Sequence, residues 1–109
     1  MQKKQINKQE KHLELLRYIQ SNPYSTQRNL AVKLDISLGK INFFIKELIK
    51  TGFIKIERFS KSKNKSEYSY LLTSKGLKVK SKLTYKFMIR KFSEYEKLKK
   101  EYYDTNKKA

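Results

Sequence analysis

Cysteine is absent from this chain, which excludes a disulfide framework, a thiolate metal centre and a cysteine nucleophile. Histidine occurs once, as His12, which reads as an exposed surface residue rather than a ligand. Proline also occurs once, and glycine three times, so breakers are scarce and each one marks a position. Long apolar runs are missing too. Nothing approaches the roughly 18 apolar residues of a membrane span, and the opening Met-Gln-Lys-Lys-Gln-Ile-Asn-Lys-Gln has no apolar core for a signal peptide. A cytoplasmic location and no membrane partner are expected.

Acidic residues are the remaining scarcity: 10 against 27 basic ones, for a net charge of +17 in 109 residues. Such a chain is attracted to polyanions, meaning nucleic acid or an acidic membrane surface. Abundant Lys, Ile, Asn and Tyr with few arginines match the codon bias of an AT-rich genome, so distribution matters more than the total. From Arg58 to Lys91 there are eleven bases and one acid, Glu67, whereas four of the ten acids fall in the last sixteen residues. Cations are thus concentrated in one region, as a binding face requires.

The stretch Ser37 to Gly52 organises the rest. Ser37 is an N-cap, and Gly52 stops the helix where a left-handed residue is needed. Leu38, Ile41, Ile45, Leu48 and Ile49 recur at steps of three and four and predict one apolar face. Gly39, Lys40, Asn42, Phe43, Lys46 and Lys50 fall on the other. Lysine offers charge to phosphate or donors to guanine, asparagine pairs with an adenine edge, and Phe43 can pack on thymine methyls.

Residues 1–9 read as a polar tail. Asn7 and Glu10 resemble a capping box that opens a helix to about Ser21, with Leu13, Leu15, Leu16 and Ile19 apolar. Pro23 ends it. A second helix runs from Ser25 or Thr26 to Leu34, with Leu30, Ala31 and Leu34 for the core, and Asp35-Ile36 turns the chain into the Ser37 helix. A short helix, a tight turn and a longer helix form a helix-turn-helix. Phe53–Phe59 and Glu67–Leu72 then alternate as strands around a basic loop, Ser60–Ser66, and so make a wing. Its Lys61, Lys63 and Lys65, with Arg58, are expected on phosphates or in the minor groove. Thr73-Ser74 caps a last helix over residues 75–103, with Gly76 tolerated in its first turn, before a polar tail at 104–109. Tyr85, Met88, Phe92, Tyr95, Lys99 and Tyr102 follow a heptad seam, and Leu83, Phe87 and Leu98 widen it. Twenty-nine helical residues span roughly 43 Å, more than so small a domain is wide, so the distal half projects and requires a partner. A second copy of the chain is the simplest. The fold class is α+β and mostly helical: a winged helix-turn-helix at 10–74, a two-stranded wing and a long C-terminal dimerisation helix.

Ser25-Thr26-Gln27-Arg28-Asn29-Leu30-Ala31, Ser37 through Ile54, the basic hairpin and Leu72-Thr73-Ser74-Lys75-Gly76 together resemble a MarR-type winged helix. Ile36–Asn42, Phe59–Lys65, Leu71–Gly76 and Phe92–Leu98 resemble more narrowly the small MarR-family regulators associated with extracellular polysaccharide (EPS) gene clusters. The likeness covers about residues 10 to 101. It implies a DNA-binding transcriptional regulator whose targets include polysaccharide genes. Two departures stand out. The wing lacks the family's usual Asp-Arg pair, so its contacts do not transfer residue by residue. The chain is also short for the family's full set of dimerisation helices and their small-molecule pocket.

No catalytic constellation emerges: Gly39-Lys40 lacks the upstream glycine of a phosphate-binding loop, and the carboxylates show no paired acid-base spacing. No cofactor, metal or small-molecule effector is expected. The leading expectation is a homodimer that reads an inverted-repeat operator in double-stranded DNA, with Ser37, Gly39, Lys40, Asn42, Phe43 and Lys46 at the groove. The alternative is a non-specific nucleic-acid-binding or architectural protein using exposed tyrosines for stacking.

Overall fold

The computed structural model describes the backbone of residues 2–62 and 65–108 and the side chains of residues 8–58 and 68–107. In chain order come α1 (Gln2–Ser21), α2 (Gln27–Leu34), α3 (Leu38–Lys50), β1 (Ile54–Ser62), β2 (Lys65–Leu72) and α4 (Ser74–Lys108). Three short helices and a hairpin surround one core, and α4 leaves that body as a long arm.

The sequence explains most element ends. Thr26 caps α2 by accepting from the Asn29 N–H at 3.0 Å, and Ser37 caps α3 by accepting from the Lys40 N–H at 3.2 Å. Between those helices Asp35 adopts a left-handed φ of 53°, a conformation Asp tolerates better than most residues. Helix α3 ends in a Schellman motif around Gly52, whose φ is 80°. The Phe53 N–H donates to the Leu48 carbonyl at 2.8 Å and the Gly52 N–H to Ile49 at 3.0 Å.

Leu15, Leu16 and Ile19 of α1, Leu30 of α2, Ile41, Phe44, Ile45 and Leu48 of α3, Ile54 and Tyr70 form the buried cluster. Leu13 is buried as well. Each buried aliphatic contributes about 1.5–3 kcal/mol by leaving water. Strands β1 and β2 pair antiparallel from Ile54–Leu72 outward to Ser62–Lys65, with a register shift between Ser60 and Ser62. The Tyr70 N–H donates to the Pro23 carbonyl at 2.9 Å, which ties the α1–α2 loop to the sheet.

Several boundaries and faces differ from the sequence reading. Helix α1 starts at Gln2, not near residue 10, because Gln and Lys favour helix and nothing in residues 2–9 breaks it. At the other end α4 continues to Lys108 through the expected polar tail. The wing strands run into the expected 60–66 loop and leave only Lys63 and Asn64 between them. The buried face of α3 is Ile41, Phe44, Ile45 and Leu48, whereas Leu38 and Ile49, expected on it, are exposed. Phe87, read as part of a partner surface, is buried in the chain's own body.

Candidate nucleic-acid interface

Helix α3 turns its one acid inward. Glu47 lies 3.3 Å from Lys8 Nζ and 3.5 Å from His12 Nε2, both on α1. What faces solvent is Lys40, Phe43, Lys46 and Lys50, all exposed, with Phe43 55% accessible. Ser37 and Gly39 are exposed at the N-terminal end, and a Cβ on Gly39 would meet no atom within 4 Å. A cationic helix face with an exposed ring and a free N-terminal turn can enter a major groove about 12 Å wide.

Asn42 departs from that exposed set. It is half-buried, and its Nδ2 donates to Gln27 Oε1 at 3.1 Å. Gln27 Nε2 in turn donates to the Tyr70 hydroxyl at 3.3 Å. Gln27 did not stand out in the sequence, since an amide at the start of a helix carries no signal until the fold brings a partner fifteen residues away beside it.

Register places Arg58 opposite Tyr68, and the Arg58 guanidinium stands 5.8 Å from the Tyr68 ring centroid. Both are exposed, whereas Tyr70 on the same face is buried, so only one of the two wing tyrosines is available for stacking. The side chains of Lys61, Lys63 and Lys65 lie outside the described residues.

The opposite end of α3 is held by α4. Lys75 Nζ donates to the Thr51 carbonyl at 2.9 Å and lies 5.4 Å from the Phe53 ring centroid. Thr73 Oγ1 donates to the Gly52 and Phe53 carbonyls and accepts from the Gly76 N–H at 3.0 Å. Gly76 is required there rather than tolerated, because a Cβ would fall 1.9 Å from the Phe53 oxygen. His12, expected on the surface, is half-buried with its ring edge-on to Phe44 at 4.8 Å. Burial lowers its pKa from the ordinary 6.5, an effect that Glu47 opposes and Lys8 reinforces.

The residues expected at a dimer interface, Tyr85, Met88, Phe92, Tyr95 and Tyr102, are all more than half accessible along α4. No described helix is long and apolar enough to cross a membrane.

Helix-turn-helix, hairpin and arm together define a winged helix-turn-helix. Residues 8–55 match the sequence model of the family described as winged helix-turn-helix DNA-binding. Among solved structures, Streptococcus pneumoniae FabT in complex with DNA superposes with a TM-score of 0.57 at 22% identity, covering 77% of this chain and 59% of that one. Lactococcus lactis ZitR, a zinc-responsive MarR family member, gives 0.61 at 23% identity, covering 81% and 58%. MepR, a transcription regulator of the Staphylococcus aureus multidrug efflux pump MepA, gives 0.60 at 18%, covering 80% and 63%. The chain therefore has the fold of MarR-family regulators and spans about three-fifths of the length of these proteins. No curated protein sequence matches the chain. Among the described residues no three His, Cys, Asp or Glu side chains gather as a metal site.

Proposed function

We propose that the chain is a MarR-type transcriptional regulator that binds double-stranded DNA sequence-specifically as a homodimer, with α3 in the major groove and the wing on the backbone or in the minor groove. The observation that carries this reading is the outer face of α3. Its lysines and Phe43 face solvent while its one acid is held against α1. A non-specific polyanion binder needs charge but has no use for an exposed ring and an amide among the lysines. Ser37, Gly39, Lys40, Asn42, Phe43 and Lys46 form the base-reading set, and Arg58, Lys61, Lys63 and Lys65 the backbone set. Polysaccharide genes are the target class, on the strength of the sequence resemblance in Ile36–Asn42 and Phe59–Lys65. Neither a metal nor a drug-sized effector belongs to this reading.

Footprinting on the DNA upstream of the chain's own gene and of polysaccharide genes is the first test, followed by competition with unrelated duplex and single strand. Protection of an inverted repeat that unrelated duplex competes for poorly is the expected result. Equal competition by every duplex sinks the sequence-specific reading in favour of an architectural one, and better competition by single strand points to stacking on Tyr68.

A further inference from the structure

The amide of Asn42 is already engaged before any DNA arrives. The bonds from Asn42 to Gln27 and from Gln27 to Tyr70 join α3, α2 and β2 in one part-buried line. Its far end is fixed twice, because Tyr70 is only 8% accessible and its N–H is held by the Pro23 carbonyl. Gln27 is the first residue of α2, directly after the Thr26 cap that anchors that turn.

A terminal amide torsion is broad and two-fold, so a free asparagine presents its oxygen and nitrogen to a groove in either order. With Gln27 Oε1 as the acceptor, Asn42 keeps its second Nδ2 hydrogen and all of Oδ1. That donor and acceptor are the pair adenine needs at N7 and N6. The reversed arrangement, with Gln27 donating to Oδ1, leaves two N–H donors toward the groove, a set that suits guanine. In the structure Gln27 Nε2 donates to the Tyr70 hydroxyl, which leaves Gln27 Oε1 as the acceptor beside Asn42.

We propose that Gln27 is a positioning residue that holds the Asn42 amide with its oxygen toward the major groove and so sets a preference for adenine at the base pair Asn42 reads. The inference rests on the reading of α3 as the groove helix.

The test uses the full chain. The native protein first selects a preferred duplex from a randomised pool, and affinities are then measured for that duplex and for each single base-pair change. Native, Asn42→Ala, Gln27→Met and Gln27→Glu chains are compared. Asn42→Ala is expected to flatten the preference at one adenine position by about 5- to 100-fold. Gln27→Met keeps the side-chain length without the acceptor, and it should lower the ratio at that same position by at least about threefold while sparing other positions. Gln27→Glu retains the acceptor. It should keep the ratio at that position even as its added negative charge weakens every duplex. A Gln27→Met chain with the native ratio, or a Gln27→Glu chain as indifferent as Gln27→Met, overturns the proposal and leaves the groove reading standing. A native chain that enriches no duplex, or an Asn42→Ala loss equal on all duplexes, overturns the groove reading and the proposal with it.

Discussion

Gly76 carries a constraint that a place in a first helical turn does not suggest. The Phe53 carbonyl facing it also accepts from the Thr73 N–H at 3.0 Å, so it cannot swing away from an added methyl. Gly76→Ala must push the start of α4 off the end of the α3–β1 connection, and a loss of about 2–4 kcal/mol is expected in urea unfolding. His12 makes a second residue-scale prediction, through pH. Its pKa is lowered chiefly by burial, so the folded chain binds the imidazole proton less tightly than the unfolded chain does. This contribution to stability is complete above the ordinary value of 6.5 and is lost as pH falls below it toward the folded value. Melting midpoints followed between about pH 8 and pH 5 should therefore drop on the acid side, and His12→Gln should flatten that part of the curve. A variant curve parallel to the native one would assign the acid sensitivity to other groups.

Elements were legible where punctuation and periodicity agreed. Ser37 and Gly52 bracket α3 as caps, the alternation at Ile54–Arg58 is strand, and Thr73 opens α4. Ends without punctuation were not legible, as at Gln2 and Lys108, where good helix formers simply continue. On α3 the spacing marks Ile41, Ile45 and Leu48, which are buried, but it also admits the exposed Leu38 and Ile49 and passes over the buried Phe44. The exposure of the candidate site residues Lys40, Phe43 and Lys46 could be read from a helical wheel. The engagement of Asn42 and the tight fit at Gly76 could not, since both depend on residues brought in from other elements. The wing supplies the prediction at this scale. Strands β1 and β2 stay paired out to Ser62 and Lys65, so the backbone of Lys61 and Lys65 lies at the far end of the ribbon. Replacing Lys61, Lys63 and Lys65 together by Ala should weaken cognate and random duplex alike and lower the salt slope by about three, roughly one for each phosphate left unneutralised. A loss confined to the cognate duplex would mean that the wing reads sequence instead.

At the scale of the whole molecule the shape favours the proposed dimer. The chain measures 71 × 26 × 26 Å with a radius of gyration of 18.4 Å, against about 13 Å for a compact domain of its length. Among the described residues, helix α4 is tied to α1 through its first half. Lys80 bonds Gln20, Lys86 Nζ donates to Gln9 at 2.7 Å, and Arg90 pairs with Glu10 at 3.7 Å. From Lys91 to Lys107 every residue is exposed, including Phe92 at 61%, Tyr95 at 58%, Leu98 at 65% and Tyr102 at 65%. Rings repeating on an a/d seam along about 26 Å of helix, from Tyr85 to Tyr102, match the surface a second copy would bury around a two-fold axis. One winged helix reads too few base pairs for a unique genomic address, so the proposed pairing through this seam would also answer the needs of recognition. Ending the chain after Arg90 keeps each described tie to α1 and should leave a folded monomer by light scattering. Phe92→Glu should give the same result in the full chain by setting charge on the seam. Both changes should weaken operator binding by orders of magnitude while the domain's own melting transition persists, and the native footprint should show half-sites about 10 base pairs apart. A truncated chain that still scatters as a dimer would place the partner surface on the body, and the half-site spacing would then have to be derived from that surface instead.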